Sequence, residues 1–343
     1  MNISKIENAV IVTNKTRLEQ LTARFNTQAQ AKFYIEQSQK NFYANKSSGS
    51  KVQNQDIMQK KNKISSQKNI QNSDFTIYEE EHKKFHESLS SIRKQLSPVL
   101  KIKEIDQSFL SNNIFTDKDL IIVVGQDGLV ANTAKYVSNI PIIAINPDES
   151  RYDGILLPFN SVNFMLAIQR VLTDNFISKN VTMAEVKLND GQRLVAFNDL
   201  FIGVSTHSSA RYQISLNNDS ESQSSSGIIV STGAGSTGWL SSVYNMTNGL
   251  LRAFSNYPII DFKKVSQDYE NLFFVVREPF VSKTSLANIV AGEIKNGEIL
   301  TIESFMPQNG VIFSDGIQSD FLQFNSGTIA EIGVATEKAI LVL

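Results

Sequence analysis

Two glycine-rich turns and one Asn-Asp pair hold the residue types that could do chemistry. The first turn, Gly125-Gln126-Asp127-Gly128, follows an apolar run at 119–124 and precedes a run with helical spacing from Leu129. A strand feeding the start of a helix presents free N–H groups and a positive dipole end, and both favour phosphate. Glycine lets backbone approach a bulky anion with no Cβ in the way. Asp127 is the odd member, because phosphates repel a carboxylate unless a divalent cation or a proton-transfer task retains it. Both needs arise in phosphoryl transfer, where a base orients or deprotonates the attacking hydroxyl. Asp-Gly is also a good turn with no chemistry attached.

The second turn runs over 227–239 and contains Ser231, Thr232, Gly233, Gly235, Ser236, Thr237, Gly238 and Trp239. Its hydroxyls and N–H groups can bond ribose or phosphate oxygens. Gly233-x-Gly235-x-x-Gly238 also satisfies the dinucleotide fingerprint. A helix over 240–254, a strand over 258–260 and Asp261, about twenty residues beyond the glycines, would complete a Rossmann-type NAD-dependent oxidoreductase. Strand-rich sequence on both sides argues against that reading, which also leaves Gly125–Gly128 unexplained. Between the turns, Asn198-Asp199 ends a strand over 193–197. An Asn amide can read a base edge and a carboxylate can accept two ribose hydroxyls. A plain turn is the commoner meaning of the pair.

Other chemistries are excluded or weak. With no cysteine among 343 residues there are no disulfides, thiolate metal sites or cysteine nucleophiles. His82 and His86 have the i, i+4 spacing of metal ligands on a helix, but no third ligand is evident in the sequence, and no metal site is assigned. No Walker loop and no Gly-x-Ser-x-Gly elbow occurs. A net charge of -1 argues against a nucleic-acid-coating protein. The apolar runs fall far short of the roughly 18 residues that span a membrane. Lys5 and Glu7 interrupt any signal core, so the chain reads as cytoplasmic and without a membrane partner.

The elements that must position these residues follow from periodicity. A strand over 9–13 leads to a helix that Thr16 can cap, with Glu19 at capping-box spacing. A second helical piece covers 27–36. Residues 37–73 then carry seven lysines against one acid, Asp56, and read as a flexible Lys/Asn/Gln/Ser-rich insertion. Over 75–96, Tyr78, His82, Phe85, Leu89 and Ile92 share one helical face. Strand, turn, helix and strand over 119–145 predict a parallel sheet, and a helix is expected over 161–173. Beyond residue 180 strands dominate, with a hairpin turn at Asn189-Asp190-Gly191 and strand ends at 314–316, 325–327 and 336–338. The expected fold class is an α/β N-terminal domain with a parallel sheet over 1–180 plus a β-rich C-terminal domain over 181–343. The last strand can return to the first domain.

The ordered trio Gly-x-Asp-Gly, Asn-Asp and Ser-Thr-Gly-x-Gly-Ser-Thr resembles the NAD kinase family. Residues 124–132, 145–148 and 310–316 are similar to a divergent bacterial branch labelled NAD kinase-like or sugar kinase. The resemblance covers most of the chain outside 37–73. It implies the NAD kinase/diacylglycerol kinase-like fold, a homodimer or homotetramer, and phosphoryl transfer from ATP with Mg²⁺ to the adenosine 2′-hydroxyl of NAD. Asp127 then resembles the catalytic aspartate. Gly125, Gln126, Gly128 and Asn132 fall at the phosphate-binding turn and helix, and Asn198 and Asp199 match the pair holding the adenosine of NAD. The segment 231–238 with Ser242 lies along the dinucleotide, and Trp239 stands where tyrosine is usual. The chain departs from the family pattern at Gln126 (for glycine), Leu129 (for threonine), Asp199 (for glutamate) and Ser226 (for aspartate). A kinase of the same fold acting on a sugar or lipid hydroxyl, and a non-catalytic NAD(P) sensor, are the alternatives that these departures raise.

Overall fold

A computed structural model describes residues 6–48 and 74–343. In chain order the first elements are β1 (Asn8–Thr13), α1 (Arg17–Phe25), α2 (Gln28–Ser48) and α3 (Asp74–Leu96). β2 (Lys101–Asp106), β3 (Asp119–Val124), α4 (Asp127–Ala134), β4 (Pro141–Asn146), β5 (Phe159–Asn160) and α5 (Phe164–Leu172) follow. β1 pairs in parallel with β2 and β3, β3 with β4, and β4 with β5.

Strand alternation explains why this sheet is covered on both faces. Val10, Val12, Ile121, Val123, Ile142 and Ala144 pack on one side with Leu129, Val130 and Ala134 of α4. Ala9, Ile11, Leu120, Ile122, Ile143 and Ile145 pack on the other with Phe85, Leu89, Ile92 and Leu96 of α3 and Phe164 and Ile168 of α5. Burial on both faces accounts for near-continuous apolar strands and holds the strand ends rigid. Thr16 caps α1 in a full capping box: it accepts the Glu19 N–H, and Glu19 Oε2 accepts the Thr16 N–H at 2.8 Å.

The remaining elements are β6 (Ser178–Leu188), β7 (Arg193–Ala196), β8 (Asp199–Val204), β9 (Ala210–Leu216), β10 (Asp219–Ser225), β11 (Ile228–Ser231) and α6 (Trp239–Phe254). β12 (Leu272–Val276), β13 (Ala291–Ile294), β14 (Leu300–Ser304), β15 (Gly310–Ser314), β16 (Ile317–Gln323) and β17 (Ile329–Val342) complete the chain. One antiparallel sheet has the order β13-β12-β11-β8-β15-β16. β9, β10 and β14 join the parallel strands through β17, which runs antiparallel to β14 and β6 and parallel to β4 through Ile340 and Leu341. The architecture is thus an N-terminal α/β part with a mixed sheet and a C-terminal antiparallel β-rich part.

Several sequence expectations are corrected. α2 continues to Ser48, into the stretch expected to be flexible, and residues 49–73 lie outside the described residues. Thr336-Glu337-Lys338 does not end a strand but sits inside β17, where the register with β6 shifts between Val334 and Lys338. No strand forms at 258–260, and β11 is antiparallel to both β8 and β12. Without a parallel β-α-β unit after Gly233–Gly238, the Rossmann oxidoreductase reading fails on topology.

Candidate active site

β3 ends at Val124 and α4 begins at Asp127, so the Gly125–Gln126 turn lies at the carboxyl ends of parallel strands, where open α/β sheets bind ligands. Its two glycines have different reasons. A Cβ on Gly125 would meet Leu129 Cδ2 at 2.8 Å, so that glycine serves the packing of helix on strand. A Cβ on Gly128 would meet nothing within 4 Å, which leaves open space beside the helix start. Gln126 is the N-cap residue with φ -107° and ψ 167°, an extended backbone that any residue adopts. Its side chain is exposed, so the exchange for glycine brings no strain. Leu129 is 2% exposed and belongs to the core.

The N–H groups of Leu129 and Val130 return to the Gln126 carbonyl, whereas those of Asp127 and Gly128 precede any helical acceptor. Asp127 is half-buried. Its Oδ1 accepts the Leu156 N–H at 2.6 Å, and among the described residues Oδ2 has no partner. The carboxylate is therefore oriented by one oxygen with the other available. Asn132 donates Nδ2 to the Gly128 carbonyl at 3.0 Å, and its buried Oδ1 is unpartnered. Asn14 and Lys15, just past β1, share a small cleft with Gly125 and Gln126.

The second constellation forms around Asp199. Its Oδ1 is sealed from solvent and accepts no hydrogen bond. A Cβ on Gly235 would lie 2.7 Å from that oxygen, 2.6 Å from Ser231 Oγ and 2.3 Å from the Asn198 carbonyl. Gly235 is thus the wall against which the Asn198–Asp199 turn rests. Burial pushes the Asp199 carboxyl up to about 7; the Ser231 hydroxyl opposes this and the Asp315 charge adds to it. Thr232 ties the turn to its neighbour: its N–H donates to the Asn198 carbonyl and its hydroxyl to the Phe197 carbonyl. Ser231, Thr232 and Ser236 are fully buried, and Ser236 Oγ donates to the Gly233 carbonyl. Thr237, Gly238 and Ser242 are exposed. The Trp239 ring stacks on Phe201, with centroids 5.6 Å apart and 12° between planes, and the Arg277 guanidinium lies 5.5 Å from its centroid. These three line a hollow of about 480 Å³ with Phe313 and Phe321.

No hydrogen bond or ion pair among the described residues joins Asp127 to the Asp199 cluster. The link is made by the β15–β16 hairpin. Asp315, in its turn, accepts the N–H groups of Phe197, Asn198 and Asp199 at 2.9, 2.6 and 3.3 Å. Next to it, Ser314 Oγ accepts from Lys135 Nζ at 2.8 Å, and Asp320 accepts from the same ammonium at 2.9 Å. Lys135 follows α4, and its side chain is 1% exposed. The Tyr136 hydroxyl donates to the same Asp320 carboxylate. One hairpin therefore anchors both the helix that carries Asp127 and the turn that carries Asp199.

Comparison with known proteins bears on this arrangement. No protein-family profile matches the chain. An NAD kinase of Saccharolobus islandicus is 29% identical over 164 residues, covering 48% of this chain and 62% of that protein. An NAD kinase of Clostridium kluyveri is 26% identical over 220 residues, covering 59% of this chain and 73% of that protein. The chain thus spans a little under two thirds of the length of the first of these relatives. Yeast NADH kinase complexed with NADH superposes with a TM-score of 0.54 at 15% identity, over 75% of this chain and 79% of that one. An Archaeoglobus fulgidus NAD kinase in complex with ATP gives 0.51 at 14% identity, over 74% and 89%. The chain is NAD kinase-like, in fold and in sequence.

Sequence reasoning passed over the roles of four residues that tie the helix of Asp127 to the turn of Asp199: Asp315, Lys135, Tyr136 and Asp320. Asp315 stood in a Ser-Asp-Gly turn read as a strand end and as part of the resemblance over 310–316, with no role given to its carboxylate. Lys135 carried a usable signal, a single cation in the apolar stretch 129–137. Such a charge is retained near a core only when it is paired.

Proposed function

We propose that this chain is a phosphotransferase that moves the γ-phosphoryl group of ATP to the adenosine 2′-hydroxyl of NAD, giving NADP. The observation that carries the reading is the placement of Asp127. It opens α4 beside unpartnered N–H groups and open space, with one oxygen held by Leu156 and the other available. In this reading Asp127 Oδ2 takes the proton of the 2′-hydroxyl. The alkoxide oxygen forms a bond to the γ-phosphorus, the bond to the bridging oxygen breaks, and ADP leaves with that electron pair. The first-turn amides of α4 bind non-bridging phosphate oxygens. Asp199 accepts from ribose hydroxyls of the bound dinucleotide through Oδ2, the oxygen on the side of the exposed Gly238, while Oδ1 stays behind Gly235. Gly233 to Trp239, with Ser242, forms the adjoining wall.

Mg²⁺ would enter with ATP and neutralise charge on the phosphates. Among the described residues no group of three histidine or acidic side chains converges at Asp127, so the residues fit an ion carried mainly by the triphosphate rather than a protein cage. A homodimer or homotetramer in the cytoplasm completes the proposal. The aromatic hollow outside the six-stranded sheet supports association, and light scattering coupled to size exclusion tests it.

The deciding experiment incubates purified protein with ATP, Mg²⁺ and NAD and follows NADP through an NADP-specific coupled dehydrogenase. Turnover that Asp127→Asn lowers by about 10²-fold or more, with thermal melting unchanged, is expected. Absence of NADP from folded protein overturns the acceptor, and full activity of Asp127→Asn overturns the base.

A further inference from the structure

The i, i+4 histidine pair of α3 gains in three dimensions the third ligand that the sequence does not reveal. Glu19 of α1 faces both rings. His86 Nε2 lies 3.0 Å and His82 Nδ1 4.0 Å from Glu19 Oε1. The three ligand atoms lie within 4.8 Å of one another, the only such group of three or more histidine and acidic side chains among the described residues. From this geometry we propose that Glu19, His82 and His86 form a binding site for a first-row divalent cation that favours imidazole, Zn²⁺ foremost, clamping α1 onto α3.

The ligand chemistry fits that choice. Two imidazoles and one carboxylate suit Zn²⁺ at about 2.0–2.2 Å per bond, with a fourth position left to water. Mg²⁺ prefers oxygen ligands and would not be held here. In a tetrahedral site the ligand atoms lie about 3.3 Å apart, so the histidines need only a side-chain adjustment. The side chains are 36%, 33% and 41% exposed for Glu19, His82 and His86, and they have room to make it. Hollows border the cluster on both sides, one lined by Glu19 and His82 and another by Glu19 and His86, so ion and water have access.

The carboxylate is also prepared for the task. The capping box fixes Glu19 Oε2 on the Thr16 N–H and leaves Oε1 directed at the rings. His82 Nδ1 lies 2.9 Å from Thr16 Oγ1, a contact that an ion would replace. Without an ion the cluster is a His86–Glu19 hydrogen bond beside a capped helix.

The test uses the full chain, free of any affinity tag and stripped with chelator, titrated with Zn²⁺ by calorimetry and with Co²⁺ by visible absorption. The expected result is one Zn²⁺ per chain at micromolar concentration, an intense tetrahedral Co²⁺ band, and a raised melting temperature that Mg²⁺ does not reproduce. His86→Gln and Glu19→Gln should each weaken Zn²⁺ by at least about tenfold. His207→Ala, at an exposed histidine outside the cluster, should leave binding unchanged. Glu19→Gln retains a capping-box residue, so it folds even if a histidine variant does not. No stoichiometric Zn²⁺ binding, or binding that persists in both His86→Gln and Glu19→Gln, overturns the site and leaves the hydrogen bond as its whole meaning.

Discussion

The Asp315 carboxylate accepts the Asn198 N–H at 2.6 Å and, with the flanking N–H groups of Phe197 and Asp199, gathers three donors onto one side chain. A turn bearing the Asn-Asp pair is thereby fixed from the opposite hairpin rather than by its own residues. The Asp315 N–H returns the bond to the Asp199 carbonyl at 2.9 Å.

Replacing Asp315 by alanine strips three buried N–H groups of their acceptor. Each unmet group costs about 1–3 kcal/mol unless water replaces the carboxylate, so a total loss of about 2–4 kcal/mol is expected. Urea unfolding measures it. In the proposed reaction KM for the dinucleotide should rise more than kcat falls, because Asp315 positions the pair and touches no reacting atom.

Asp199 ties stability to pH. Its folded pKa of about 7 lies above the ordinary 3.8, so the folded state binds the extra proton. Stability is then untouched below about pH 4, falls as pH rises between about 4 and 7, and stays reduced above that range. Asp199→Asn should therefore raise stability by about 1–2 kcal/mol at pH 8 and change it little at pH 4, while dinucleotide affinity drops. Thermal melts across that range, paired with a binding titration, check both signs.

Gly128 separates ligand space from protein space. A Cβ there meets no protein atom within 4 Å, and φ is not in the left-handed region, so Gly128→Ala should melt within about 1 kcal/mol of the parent. If phosphate occupies that room, ATP affinity falls at least about tenfold, the equivalent of about 1.4 kcal/mol. Gly235→Ala, whose Cβ would lie 2.3 Å from the Asn198 carbonyl, should instead lose stability and function together.

Lys135 and Asp320 form a buried pair at the end of α4. Lys135→Ala leaves the Asp320 charge unpaired and should cost about 3–5 kcal/mol. Asp320→Asn added to it should recover part of that loss, and a double-mutant cycle reads the coupling. The activity of the recovered double variant shows whether α4 still presents Asp127.

Much of this protein is legible from local pattern. The central parallel strands β1, β3 and β4 appear as apolar runs because both faces are buried, whereas the charged edge strand β2 leaves no such run; α1 begins where Thr16 and Glu19 have capping-box spacing. The Asp127 turn is visible because strand, glycines and helix are consecutive in the chain. These features depend on residues a few positions apart, and periodicity reports them directly. Other features depend on residues far apart in the chain, and only the tertiary structure decides them. β11 pairs antiparallel with β8 and β12, which turns a dinucleotide fingerprint into a wall behind Asp199. Asp315 reaches the 197–199 turn only because β15 pairs with β8, and Lys135 reaches the β15–β16 hairpin only because the end of α4 meets the six-stranded sheet. Glu19 meets His82 and His86 because α1 packs across α3. A hydrogen bond or a ligand set between distant positions leaves no periodic trace, since the chain between them is free to take any length.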